Sequence, residues 1–298
     1  MTSVSEHDLA WVRDLIHSTA ALVLEPGKGY LVESRLAPIA RAEGCSISEL
    51  IARLRLLPHG PLHDRVVQAM TTNETSWFRD RHPFDALRST VIPALMERRR
   101  AERSLTIWSA ACSTGQEPYS IAMVLLDTFP ELASWRISIL ASDLSEAAVA
   151  RARTGRYTQL EVNRGMPSEM LSRHFEPDGA DWRVNDRIRS IVRFGVVNLI
   201  GPWPQVPATD IVMLRNVMIY FDLDTKRRLL DRMHQTLRHD GYLFLGNAES
   251  TLNIDDRYVR VAPERAGCYQ LRSHLAGGVS HIDRLVADRS RTPEGIPT

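Results

Sequence analysis

Residues 105–122 carry the pattern that most constrains how this chain can fold. The apolar run 105–107 predicts a buried strand, which leads through a turn of small residues into a helix with Pro118 in its first turn. Gly115 lies in the turn, and glycine permits backbone angles that other residues avoid. Parallel α/β sheets bind ligands just beyond the carboxyl end of a strand, so this strand, turn and helix predict a ligand site.

The turn differs from the loops that bind nucleotide phosphates. It contains one glycine where a dinucleotide loop needs three, and it lacks the Gly-Lys-Ser/Thr of a phosphate loop. It also carries an acid, Glu117, so we expect a small ligand with a positive group. Cys112 in the same turn can be a nucleophile or a small packing residue. The second interpretation is favoured, because no histidine lies nearby in the sequence to activate a thiol.

The composition argues against several classes of protein. The 298 residues include 37 basic and 36 acidic side chains, so no overall field favours nucleic acid as a partner. No apolar stretch approaches the ~20 residues of a membrane span, and the polar, acidic start is unlike a signal peptide. The three cysteines lie far apart, and no Cys/His group has zinc spacing. We therefore predict a cytoplasmic protein without membrane insertion, disulfide framework or metal.

The chain divides into three main parts. Residues 1–70 have apolar positions every three to four residues, which predicts a small domain of four helices. Residues 71–104 predict a polar linker and then a helix over 83–103, in which we interpret the basic cluster 98–100 as a solvated helix end. From 105 to 272 strands and helices alternate, which predicts an α/β domain built on a doubly wound parallel sheet.

Two smaller segments complete the scheme. Residues 175–190 predict a short β-hairpin subdomain inserted in the α/β domain. Residues 273–298 are rich in Gly, Pro, Ser and Arg, and we expect them to be disordered.

Two acids lie close to the predicted carboxyl ends of strands. Asp143 closes the second strand, 28 residues after Gly115, and can accept hydrogen bonds from both hydroxyls of a ribose. It can also cap the following helix, although Ser145 is better placed for that role. Glu117 can pair with an ammonium group, or its charge can simply favour a helix N-terminus, and both interpretations stay open.

Three polar segments are predicted near the same edge of the sheet. Residues 72–79 end in aromatic residues and Arg79, and form either a plain linker or part of a ligand site between domains. After the fourth parallel strand, Asn216 can hydrogen-bond a ligand and Tyr220 can point into the site, although a single tyrosine is more often buried in a core. The dipeptide Asn198-Leu199 can bracket an adenine.

Together these segments resemble the CheR-type chemotaxis receptor methyltransferases, which depend on S-adenosylmethionine. The resemblance covers residues 5–272, and its stretches occur in the order and with the spacing of that family. They are KGYLVESRL (28–36), TTNETSWFRD (71–80), WSAACSTGQEPYSIAM (108–123), ASDLSEAAVARARTGRY (141–157), VVNL (196–199), LRNVMIYFD (214–222) and GYLFLGNAES (241–250).

The resemblance implies a helical N-terminal domain joined to a Rossmann-like methyltransferase domain with a β-subdomain. It implies methyl transfer from S-adenosylmethionine to glutamate side chains on the cytoplasmic helices of chemoreceptors. The products are glutamyl methyl esters and S-adenosylhomocysteine, and the pathway is chemotaxis adaptation. We expect a monomer whose partner is the chemoreceptor cytoplasmic domain. Two alternatives are a methyltransferase of another substrate and a non-catalytic signalling module that binds the cofactor or a receptor.

The resemblance also implies roles for individual residues. In the cofactor site, Asn73, Thr75 and Arg79 line the wall, Gly115 shapes the turn, Glu117 meets the methionine amino group, Asp143 meets the ribose, Asn198 and Leu199 meet the adenine, and Arg215 and Asn216 lie beside the cofactor. Tyr220 lies near the transferred methyl group. Lys28, Arg35 and Arg41, on or beside the second helix, face the receptor. The choice of substrate is thus expected in the 73–79 segment and the N-terminal helices, and the 108–122 turn is expected to contact only the cofactor and not the substrate.

Two departures from the family pattern stand out. The usual Glu-Glu-Pro is Gln116-Glu117-Pro118 here, which retains the acid that matters for the amino group. The β-subdomain is short, and members that dock on a receptor's C-terminal pentapeptide have a longer loop there. This chain therefore resembles the pentapeptide-independent kind.

Overall fold

Four helices form the N-terminal domain. The computed structural model describes residues 4–25, 27–261 and 263–273. The helices are α1 (Glu6–Ala20), α2 (Gly29–Ala42), α3 (Ile47–Leu56) and α4 (Pro61–Ala69). Ser46 begins α3 with a capping box, in which its side chain accepts from the N–H of Glu49 and the Glu49 carboxylate accepts in return. The periodic apolar positions, such as Val12, Ile16 and Leu36, are fully buried in one cluster, which confirms the helical pattern.

The connector is less regular than the sequence predicts. In place of one helix over 83–103, the structure has α5 (His82–Ala86), a π-helical turn at Leu87–Val91 and α6 (Ile92–Arg98). Pro93 has no N–H to donate to the preceding turn, and a local widening of the helix accommodates the missing bond.

The basic cluster at the end of α6 corrects a second expectation. Arg100 is solvated, with 79% of its side chain exposed, but Arg99 is only 5% exposed. Its guanidinium donates to Asp210 at 2.7 Å and to both oxygens of Asp240 at 2.9 and 2.5 Å. The helix end is therefore tied to the sheet by a buried ionic cluster.

Seven strands form the main sheet, in the order β6-β2-β1-β7-β8-β10-β9. They are β1 (Ser104–Ala110), β2 (Arg136–Asp143), β6 (Val192–Val196), β7 (Thr209–Leu214), β8 (Leu237–Leu245), β9 (Tyr258–Arg260) and β10 (Cys268–Leu271). The five strands from β6 to β8 pair in parallel, and β10 pairs antiparallel with β8 and β9. The main helices of this domain are α7 (Gln116–Thr128), α8 (Glu146–Thr154) and α12 (Leu223–Thr236). The predicted doubly wound α/β fold is confirmed.

The register of the parallel strands positions the site. Ala110 at the end of β1 pairs with Ser142 on β2 and with Leu214 on β7. The three carboxyl ends therefore meet at one edge, and the residues that follow each strand lie close together there. None of the helices in the described part of the chain has the length and apolar character that crossing a bilayer requires.

The inserted subdomain begins earlier than predicted. Its three-stranded sheet, in the order β3-β5-β4, uses β3 (Arg156–Thr158), β4 (Phe175–Asp178) and β5 (Asp181–Val184). The intervening and following helices are α9 (Gln159–Asn163), α10 (Ser168–His174) and α11 (Asp186–Arg189). The predicted hairpin corresponds to β4 and β5, whereas three-residue β3 is too short to carry an alternating pattern. Apart from residue 273, the tail predicted to be disordered lies outside the described residues.

Candidate active site

A cavity lies beyond the carboxyl ends of the parallel strands, against the N-terminal domain. The α/β domain contributes the residues that follow β1, β2, β6 and β7, in four short segments at 111–113, 143–144, 197–199 and 215–217. The N-terminal domain contributes the segment between α1 and α2 together with part of α2. The cavity is therefore bounded by both domains, as expected of many ligand sites.

The turn after β1 is held tightly in place. Gly115 has φ +95°, and a Cβ there would lie 2.9 Å from the Cβ of Ala152 and 3.0 Å from the hydroxyl of Tyr157. Glycine is thus needed to let the turn approach α8. Burial raises the pKa of the Cys112 thiol well above its usual range, and the nearby Asp143 carboxylate adds to the shift. A thiol in this state is a packing residue, as the sequence favours.

Glu117 belongs to an ionic cluster at the base of the cavity. Its Oε1 accepts from the Ser109 hydroxyl at 2.8 Å, and its Oε2 accepts from Arg215 Nη1 at 2.7 Å. Arg215 also donates through Nη2 to Asp80 Oδ2 at 2.7 Å and to the Arg79 carbonyl at 2.8 Å. One cation between two carboxylates leaves a net charge of −1, which suits a cationic ligand group.

Asp143 is buried at the end of β2 and binds the backbone on both sides. Its Oδ2 accepts from the Ser113 N–H at 2.8 Å, and its Oδ1 accepts from the Ser145 N–H at 2.9 Å. Burial raises the pKa of Asp143, and these hydrogen bonds act against that rise. Ser145 is the N-cap of α8, with its hydroxyl accepting from Ala148, so Asp143 is not needed as a cap. Its carboxylate lines the cavity with lone pairs left for ligand hydroxyls.

Asn198 joins the two domains. Its Nδ2 donates to the carbonyl of Thr19 in α1 at 2.7 Å, and its Oδ1 accepts from the Ile200 N–H at 3.1 Å. Each end of the amide keeps one further hydrogen-bonding site. Leu199 and Leu144 add apolar surface to the same wall.

The loop after β7 carries Asn216 and Tyr220. Asn216 has φ +57°, a left-handed conformation that asparagine tolerates better than most residues. Both side chains line the cavity, and Tyr220 is half-buried. The backbone carbonyl of Tyr220 accepts from the N–H of Val23, at 2.9 Å, so this loop also contacts the segment between α1 and α2.

Sequence reasoning missed Glu249, which organises this loop. Its carboxylate is buried and accepts from four backbone N–H groups, including those of Asn216 and Val217. The signal available was its place in the stretch GYLFLGNAES, but an acid in a polar turn is unremarkable without its distant partners.

The structure brings most of the predicted site residues to this cavity. Its wall includes Lys28, Arg35, Thr75, Arg79, Glu117, Asp143, Asn198, Leu199, Arg215, Asn216 and Tyr220. Three predicted residues lie elsewhere. The exposed Asn73 meets the turn through its backbone carbonyl, which accepts from Ser113 Oγ at 2.8 Å. Gly115 packs behind the turn, and Arg41 is exposed on the last turn of α2.

Arg35 has a structural contact that the sequence did not indicate. Its guanidinium donates to the Met70 carbonyl at 2.5 Å and to the Thr72 hydroxyl at 3.1 Å. Arg35 therefore ties α2 to the linker that leads to Arg79.

The donors and acceptors of the cavity fit a ligand with several distinct groups. Glu117 offers a carboxylate to an ammonium, and Asp143 offers acceptors to a pair of hydroxyls. The apolar wall at Leu199 suits a flat ring whose edge can reach the Asn198 amide. This is the set of groups in S-adenosylmethionine.

Comparison with known proteins agrees with this fit. Residues 73–266 match the family model described as CheR methyltransferase, SAM binding domain, and residues 7–71 match the CheR methyltransferase all-alpha domain. The chemotaxis protein methyltransferase Cher2 of Pseudomonas putida is 40% identical over 276 residues, covering 91% of this chain and 100% of the relative.

Two further relatives have similar coverage. Chemotaxis protein methyltransferase 1 of Pseudomonas aeruginosa is 41% identical over 87% of this chain and 96% of its own length. A chemotaxis protein methyltransferase of Vibrio parahaemolyticus is 36% identical over 91% of this chain and 98% of its own length. The chain therefore belongs to the CheR family of S-adenosylmethionine-dependent chemotaxis methyltransferases.

Proposed function

We propose that this methyltransferase esterifies glutamate side chains on the cytoplasmic helices of chemoreceptors, and so acts in the cytoplasm. The observation that carries the proposal is the cavity itself, which combines an acid suited to the methionine ammonium with an arginine and a tyrosine on its wall. The curated relatives named as chemotaxis methyltransferases support the same assignment.

The proposed reaction requires no proton transfer by the protein. S-adenosylmethionine, when bound, supplies a methyl group on a sulfonium cation. A glutamate side chain has a reference pKa of ~4.3 and is already an anion at neutral pH, so no general base is required. Anion and cation combine into neutral products as the methyl group moves. The protein therefore contributes alignment and exclusion of water, and alignment can lower a barrier by about 7–11 kcal/mol.

Arg79 and Tyr220 are proposed to orient the target carboxylate. Arg79 is held on the cavity wall by a bond from its Nη1 to the Glu74 carbonyl at 3.0 Å. An arginine that fully neutralised the glutamate would stabilise the reactant more than the transition state, and methyl transfer would slow. An arginine that orients the glutamate without forming a full ion pair avoids this stabilisation of the reactant.

Transfer of labelled methyl from S-adenosylmethionine tests the proposal. We expect a receptor cytoplasmic fragment to gain label as a base-labile ester, and an RNA substrate to gain none. Arg79→Ala and Tyr220→Phe should reduce receptor methylation, with cofactor binding measured in parallel by calorimetry. Label on RNA, or wild-type turnover in both variants, would reject the proposed substrate or the proposed roles.

The receptor is proposed to contact the basic side of α2. The contributions of Lys28 and Arg41 to receptor binding are tested by reversing their charge, in Lys28→Glu and Arg41→Glu. Arg35→Glu is unsuitable, because it would break the contact with the linker at Met70. The matched control is Arg100→Glu, since Lys28 and Arg100 each pair with an exposed glutamate three residues earlier. We expect Lys28→Glu and Arg41→Glu to raise KM for the receptor. An equal rise in Arg100→Glu would show a non-specific charge effect.

We also propose that methylation does not require a receptor's C-terminal pentapeptide. Strands β4 and β5 are joined by a tight turn in which Asp178 pairs with Asp181, so this hairpin offers no long loop for docking. Receptor fragments with and without the pentapeptide should be methylated with the same kcat/KM. A large loss on truncation would reject this proposal and leave the methyltransferase assignment intact.

A further inference from the structure

The loop from Asn216 to Tyr220 is held by a single buried carboxylate. Glu249 is 7% exposed. Its Oε2 accepts from the N–H of Asn216 at 2.8 Å and of Gly246 at 2.6 Å. Its Oε1 accepts from the N–H of Val217 at 2.9 Å and of Ile219 at 3.3 Å. Two carboxylate oxygens offer about four acceptor sites, and four backbone donors use them.

The conformation that Glu249 binds is one the chain does not favour by itself. Asn216 has φ +57°, and a 3-10 turn follows at Met218–Tyr220. A left-handed residue persists when surrounding contacts determine it. Since three of the four donated N–H groups belong to residues 216–219, the carboxylate fixes the backbone immediately before Tyr220.

Gly246 shows how closely the loop is fitted. A Cβ on this residue would lie 2.8 Å from Asn216 Nδ2 and 2.8 Å from Glu249 Oε2. The end of β8 thus leaves room for the carboxylate and the loop and for nothing more.

We propose that Glu249 is a positioning residue for methyl transfer, because it holds the backbone from which Tyr220 faces the cavity. The inference rests on the proposed role of Tyr220 at the target carboxylate. Glu249 is not among the residues that line the cavity. It acts through the loop, and its negative charge matches the four converging N–H dipoles.

The isosteric variant Glu249→Gln tests this directly. The amide has one oxygen instead of two, so its NH2 group would face N–H donors and two of them would lose their acceptor. Because a misplacement of about 1 Å can cost roughly 100-fold in rate, we expect kcat for receptor methylation to fall by about that factor. The dissociation constant for S-adenosylmethionine should rise by a smaller factor, since the loop contributes Asn216 to the cavity whereas Glu117 and Asp143 lie on elements that Glu249 does not contact.

A double-mutant cycle separates positioning from general destabilisation. If Glu249 acts through Tyr220, the loss in kcat from Glu249→Gln should be much smaller in the Tyr220→Phe background. If the fold-losses in kcat of the two single variants multiply in the double variant, the inference is overturned. The matched control is Glu161→Gln, in which a carboxylate that accepts from the Thr158 N–H at 2.7 Å, in the β-subdomain, is changed in the same way. Its kcat should stay at the wild-type level.

Amide hydrogen exchange gives a readout that needs neither substrate nor cofactor. The peptide containing residues 216–220 should exchange faster in Glu249→Gln than in wild type, and at the wild-type rate in Glu161→Gln. Unchanged exchange in Glu249→Gln would overturn the inference even if activity fell. If wild type transfers no methyl to a receptor, the proposed function fails, and the exchange result still decides whether Glu249 holds the loop.

Gly246→Ala provides a second route should Glu249→Gln fail to fold. Its added methyl group would push both the loop and the Glu249 carboxylate, while the chemistry of that carboxylate stays unchanged. It should show the same fall in kcat, the same faster exchange and the same weak effect in the Tyr220→Phe background. Wild-type kcat and exchange in Gly246→Ala would count against a positioning role for this loop contact.

Discussion

The paired carboxylates around Arg215 permit a controlled test of cofactor recognition. Glu117 and Asp80 each receive one hydrogen bond of 2.7 Å from the Arg215 guanidinium, yet only Glu117 lines the cavity. Changing either acid to its amide removes one negative charge from Arg215 and keeps the shape of the side chain. Glu117→Gln and Asp80→Asn therefore differ chiefly in whether the lost charge can face a ligand ammonium.

The expected magnitude follows from the contact. A hydrogen bond to a charged group contributes about 1.5–3 kcal/mol, which corresponds to roughly 10- to 150-fold in a dissociation constant. We expect Glu117→Gln to raise the dissociation constant for S-adenosylmethionine by this factor. Asp80→Asn should leave the affinity close to that of wild type. Both variants should lose free energy of unfolding by about 1–3 kcal/mol, since each leaves Arg215 with one charged partner.

Isothermal calorimetry with S-adenosylmethionine and urea unfolding provide the two readouts. A loss of cofactor affinity in Asp80→Asn as large as that in Glu117→Gln would refute this prediction. That outcome would mean that the charge balance of Arg215 decides affinity and that Glu117 makes no direct contact. Wild-type affinity in Glu117→Gln would refute the ammonium contact itself.

Three further experiments test the fold around the site. In the native protein a thiol reagent should label Cys45 first, because Cys112 and Cys268 are buried and burial raises the pKa of both thiols. Equal labelling rates at all three cysteines would contradict the burial of Cys112 and Cys268. Arg99→Met should lower the free energy of unfolding by about 3–5 kcal/mol in urea titrations, because two buried carboxylates lose their ion pairs with the Arg99 guanidinium. Gly115→Ala should lower the free energy of unfolding by at least about 1 kcal/mol in the same assay, since φ is +95° and the new Cβ would meet α8. A neutral result for either variant would contradict the packing described.

The strands and turn that form the cavity wall at the carboxyl edge of the sheet were predictable because their signals are local. The strand that ends at Ala110 and the strand that ends at Asp143 are apolar runs, and Glu117 follows its turn at a fixed spacing. Parallel pairing then brings these ends together without further information.

Arg99 and Glu249 were not predictable because their partners are distant in sequence. Arg99 lies in a run of three arginines and bonds acids 111 and 141 residues away. Glu249 bonds N–H groups 30 to 33 residues away as well as that of Gly246. A helix end rich in arginine and a polar turn after a strand are both ordinary surface patterns. Only the tertiary fold turns them into buried charges.

The N-terminal domain forms part of the cavity wall. The segment between α1 and α2 lines the cavity from Leu22 to Leu24. The backbone of the N-terminal domain also contacts both flanking loops, because the Thr19 carbonyl in α1 accepts from Asn198 and the Val23 N–H donates to the Tyr220 carbonyl. A catalytic domain cut off after the linker would lose this wall and leave an amide donor and a carbonyl acceptor without these partners. The N-terminal domain, which is proposed to bind the receptor, therefore also helps to form the cavity proposed for the cofactor.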